Sequence, residues 1–144
     1  MFITILLSAF AATSMMTVFS YLTPEGFRKN YKEPMLFQHL ITHSSLRVTG
    51  IKKKIASWVI HYFIGLIFVF FFFMLWRTRL FAMDWISGII FGLVTGAVGI
   101  TGWEAMHIIY GYPVSIDFKG FHIHQFFAHI IFGLTTIVSF LILI

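Results

Sequence analysis

The sequence predicts an all-α polytopic integral membrane protein: four transmembrane helices in two tandem helical hairpins, plus one interfacial amphipathic helix. Three observations carry this reading. The 144 residues are 59% hydrophobic and only 10% charged, with a mean hydropathy of +0.92, outside the range of a water-soluble domain. Four apolar runs, at about 2–22, 55–76, 84–107 and 122–144, are each long enough to cross a bilayer. Tryptophans bracket two of them, Trp58 with Trp76 and Trp85 with Trp103, each pair 18 residues apart. That spacing is about 27 Å of helix, close to the hydrocarbon thickness, and tryptophan favours the membrane–water boundary. The runs occupy nearly the whole chain, so 1–144 reads as a single transmembrane domain. With no cysteine, disulfides, thiolate metal sites and cysteine nucleophiles are excluded.

The first run, 2–22, contains Ala9-Phe10-Ala11, which has the form of a small-residue cleavage site. It lacks a basic leading region, however, and stays apolar to Leu22, so a retained spanning helix is expected. Pro24, Glu25 and Gly26 end it. The connection to the second run carries Arg28, Lys29, Lys32, Arg47, Lys52, Lys53 and Lys54 against only Glu25 and Glu33. The second connection has Arg77 and Arg79, and the third Lys119. This asymmetry places the first and third connections in the cytoplasm of a bacterial inner membrane, with both termini outside. The basic balance then implies contact with an anionic cytoplasmic leaflet. No basic–aromatic pattern points to nucleic acid.

Within the first connection, Glu33-Pro34 can open a short helix, since proline is tolerated in a first turn. Leu36, Phe37, Leu40 and Ile41 share one face at helical spacing, with Gln38, His39, Thr42 and His43 polar. An interfacial helix over about 34–47 follows, ending at Thr49-Gly50 and lying on the leaflet. His39 and His43 stand one turn apart, a metal-compatible spacing that ordinary solvated faces share.

The second run bears Phe68 and Phe70 to Phe73, bulky on all sides at its outer end and expected to face lipid. The third run carries Gly88, Gly92 and Gly96, extended by Gly99 and Gly102. Small residues at this spacing let helix backbones approach closely in lipid. Ser8, Ala9, Ala12 and Thr13 offer matching positions on the first run, so the first and third spans are expected to be neighbours.

A short internal repeat relates the second and fourth runs: His61 with Gly65 and Leu66, then His129 with Gly133 and Leu134. Both histidines lie at equal depth, about 4–5 Å inside the boundary, with a glycine one turn on that would leave room beside the ring. That arrangement suits a b-type haem between two helices, with His61 and His129 as axial ligands. A zinc or iron site built from His61, His129, His107 and Glu104 has suitable donor types, with His122 and His124 able to feed or replace it. Glu104 and His107 form one Glu-x-x-His pair, where di-iron bundles need two copies and further glutamates. Boundary histidines also serve simply as interhelical hydrogen-bonding groups. No GxSxG, HExxH or phosphate-binding loop is present.

The segment from Phe10 to Thr17 (FAATSMMT), the two His-x-x-x-Gly segments and the glycine-rich third span together resemble small bacterial four-helix inner-membrane proteins of the YagU-like kind. The resemblance implies an integral inner-membrane protein with no assigned catalytic residues.

The function expected from these features is non-enzymatic association, as a homo-oligomer or an accessory subunit of a membrane complex. The glycine face motivates it. A haem- or metal-binding redox protein using His61 and His129 is the first alternative. A proton or small-solute conduit is the second, disfavoured by the lack of a charged group at mid-membrane.

Overall fold

A computed structural model describes residues 1–23, 33–45, 48–111 and 118–144. Four long helices, α1 (Phe2–Leu22), α3 (Gly50–Arg77), α4 (Trp85–Tyr110) and α5 (Phe118–Leu143), alternate in direction, and the short α2 (Glu33–His43) closes one end. Each long helix is long and apolar enough to cross a membrane. No strand occurs among the described residues.

Local chemistry fixes several ends. Asp84 caps α4: its carboxylate accepts from the Ser87 N–H at 2.7 Å, while Ser87 Oγ accepts from the Asp84 N–H at 3.3 Å. The far end of α4 stops at Gly111, whose φ of +88° only glycine adopts readily. Helix α3 begins at Gly50 rather than near 55, with Thr49 as its N-cap. Thr49-Gly50 therefore opens α3 and does not close α2, which ends at His43. Helix α5 likewise begins before 122, at Phe118, with His122 and His124 on its first turns.

The helices stand in the order α3–α1–α5–α4, with α5 packing most extensively on α4 and α1. The glycines of α4 explain the closeness of the α4–α5 pair. A Cβ on Gly92 would lie 2.5 Å from the His129 carbonyl oxygen, and one on Gly88 would lie 2.7 Å from Ile137. At Gly96 it would press on Phe126 at 3.3 Å. This corrects the expected pairing of the first and third spans: the glycine row of α4 is answered by α5, where Gly133 meets the Gly88 backbone. On the small face of α1, Thr13 stands against Gly65 of α3.

Aromatic side chains fill the half of the bundle away from α2. Phe72 stacks on Phe91 with centroids 3.8 Å apart, and Phe73 stacks on Phe140 at 5.9 Å. The phenylalanine run of α3 is thus not wholly outward: Phe70 and Phe71 are exposed, while Phe72 and Phe73 are buried. Consecutive residues turn about 100° each, so a run of four must point some rings inward. At the other end Leu36, Phe37 and Leu40 of α2 pack on Trp103 and Phe121. Helix α2 is therefore docked into the bundle, spanning α3 and α4.

Candidate functional site

Docking α2 carries one carboxylate inside. Glu33 stands on the same face as Leu36, Phe37 and Leu40, at steps of three, four and seven residues. Burying that face carries the Glu33 side chain to 12% exposure. Its Oε2 lies 3.0 Å from His61 Nδ1, and its Oε1 accepts from Gln125 Nε2 at 2.5 Å. The other nitrogen of His61, Nε2, lies 2.8 Å from Thr17 Oγ1, which lies 2.7 Å from the Thr13 carbonyl.

A hydroxyl has one proton, and this constrains the network. If Thr17 donates to the Thr13 carbonyl, His61 Nε2–H donates to Thr17. If Thr17 donates to Nε2 instead, His61 carries its proton on Nδ1. In both arrangements one proton lies between Nδ1 and Glu33 Oε2, because two bare acceptors at 3.0 Å would repel. Burial pushes the Glu33 carboxyl upward, but the hydrogen bond and charge of His61, helped by His129 and Gln125, win and hold it at about 2.

His129 completes the group. Its Nδ1–H donates to the Gln125 carbonyl at 2.9 Å, so in the neutral ring Nε2 is a bare acceptor. Gly99 stands beside it: a Cβ there would touch Nε2 at 3.4 Å. The clearance beside His129 thus comes from Gly99, whereas Gly65 and Gly133 serve helix–helix approach. Glu33, His61 and His129 line one cavity of about 190 Å³, whose remaining walls include Phe37, Phe68, Trp103 and Phe132.

The other candidate residues go elsewhere. Glu104 pairs with His122 at 2.8 Å, both one-third exposed. His107 is buried with its ring against Trp103 at 5.8 Å. His124 Nε2 meets Ser20 Oγ at 2.9 Å, and its ring stacks on Phe19. His39 and His43 hold their rings 4.1 Å apart on α2.

Among the described residues no three histidine, aspartate or glutamate side chains form a group able to hold a metal ion. Bis-histidine haem ligation needs a bare nitrogen on each ring. His129 offers Nε2, but Glu33 and Thr17 occupy both nitrogens of His61. Sequence reasoning missed Glu33, Gln125 and Thr17. The signal for Glu33 was its place on the apolar face of α2, and for Gln125 its position one turn before His129.

No protein-family model, curated protein or solved structure matches the chain.

Proposed function

We propose that this chain is an intramembrane binding protein for a small apolar molecule bearing a hydrogen-bonding group. Glu33 and His61 form its proton-exchanging pair, and His129 Nε2 contacts the bound group. One observation carries the reading: an ion-paired carboxylate, an imidazole and a second imidazole with a bare nitrogen converge on a single apolar-walled cavity. Convergence of a few polar groups in an apolar pocket is the ordinary form of a small-molecule site. The pair sits at one end of the long helices, beside the closing helix α2.

The expected association loses its motive, because Gly88, Gly92 and Gly96 are used against α5 of the same chain. A conduit is opposed by the aromatic filling of the bundle beyond the cavity. The test is native mass spectrometry of protein released from mild detergent. The wild type is expected to retain a small-molecule adduct that His129→Ala loses. Identical adduct-free masses for both proteins would overturn the reading.

A further inference from the structure

Helices α3 and α4 are consecutive in the chain, yet their backbones barely approach one another. The gap between them is bridged by α2 at one end and by the Phe72–Phe91 stack at the other. Two neighbouring spaces lie along this gap. The polar-ended cavity is one. The other is an outward apolar trough of about 350 Å³ lined by Ile67, Phe71, Leu75, Ile90 and Val94. Phe68 and Val98 border both. From His61 to Leu75 the two spaces together extend along α3 for about 21 Å, parallel to the direction in which lipid tails lie.

We propose that the cavity and trough together take one ring-headed, single-tailed lipid, an isoprenoid quinol, entering sideways from the bilayer between α3 and α4. This rests on the reading that the cavity is a binding site. Size favours a single ring, since a protein cavity of about 150 Å³ accepts benzene, and this one measures about 190 Å³. The walls suit an aromatic head: Phe37, Trp103 and Phe132 surround it. The hydrogen-bonding requirement is directional. Among the described residues no hydrogen bond reaches His129 Nε2; in the neutral ring it is a bare acceptor, which a head donating an O–H satisfies. A quinol does so and the corresponding quinone does not. A fatty acid is disfavoured, because its carboxylate would meet that of Glu33 in an apolar enclosure. The trough then receives the tail without any polar group to satisfy.

The test uses the purified protein in lipid nanodiscs, with saturable quenching of tryptophan fluorescence as the readout, since Trp103 lines the cavity. The probes are a short-tailed ubiquinol kept reduced under argon, the same molecule oxidised, dodecanol and dodecanoic acid. The ubiquinol is expected to saturate at one per chain and to bind about tenfold more tightly than the quinone. Two substitutions should each weaken it about tenfold or more. Gly99→Val covers His129 Nε2, and Val98→Trp, at a position 53% exposed, obstructs the junction of cavity and trough. Ubiquinol binding that matches dodecanoic acid, or that is unchanged in both variants, would overturn the proposal. If dodecanol saturates and ubiquinol does not, the ligand class is wrong while the binding site stands. If no probe saturates, both fall.

Discussion

Glu33 Oε2 lies 3.0 Å from His61 Nδ1, and this one contact ties the short closing helix to the interior of the four-helix bundle. The pair is embedded rather than superficial. His61 is 3% exposed, and Gln125 and Thr17 satisfy the remaining hydrogen-bonding positions facing it. A charge placed so deep is costly unless paired, so the pair both fixes α2 in place and keeps a carboxylate and an imidazole at the cavity wall.

Removing one member should therefore be far more disruptive than removing the similar pair on the rim. Glu33→Ala is expected to cost about 3 kcal/mol, because it leaves the buried His61 Nδ1 and Gln125 amide without their shared partner. Glu104→Ala, at a pair one-third exposed, should cost less than about 1 kcal/mol. Denaturation in mild detergent reads both, and equal losses would contradict the assignment of Glu33 to the interior.

The same pair sets an acid limit. The folded-state pKa of Glu33 is depressed from 4.5 to about 2. Its stabilising contribution is accordingly full above 4.5 and lost as pH falls towards 2. The wild type should melt above Glu33→Gln at pH 6, and the two melting curves should converge between pH 4.5 and 2. A gap that stays constant through that interval would exclude this origin.

Substitutions along α4 should separate close packing from open space. Gly92→Ala forces a methyl group against the backbone of His129 and Ile130, at 2.5 and 2.6 Å, and should cost at least about 1–3 kcal/mol. Gly102→Ala meets nothing within 4 Å and should be neutral or slightly stabilising. Because the contact lies within one chain, Gly92→Ala should lower the melting temperature without changing the native mass.

On α3, neighbouring phenylalanines should differ sharply. Phe72→Ala removes a ring that is 1% exposed and stacked on Phe91, at a cost of about 3–5 kcal/mol. Phe71, 59% exposed, should tolerate alanine with little loss of melting temperature in detergent.

What the sequence made legible was the number of long apolar helices and their approximate bounds. Apolar runs locate the long helices to within a few residues, and His61 and His129 line one cavity. Rotation about each helix axis was not legible. A GxxxG row states that something packs closely without naming the partner, and here the partner is α5 rather than α1. Glu33 was hidden for a different reason. A carboxylate beside proline at a helix start has an adequate local explanation in the helix dipole, and only the docking of α2 reveals a second partner.

The order α3–α1–α5–α4 bears on how the chain is assembled. The central pair, α1 and α5, joins segments at opposite ends of the sequence: the contact between Ser20 and His124 closes a separation of 104 residues. Consecutive α3 and α4, by contrast, barely approach along their backbones and meet through the Phe72–Phe91 stack. During synthesis the early helices must therefore wait, with α1 and α3 as the only substantial long-helix pair, until α5 arrives to seat both α1 and α4. Such non-local closure slows folding and prolongs the exposure of unpaired surfaces. A nascent chain stopped before α5 would lack both its largest interface and the Gln125 amide that holds Glu33.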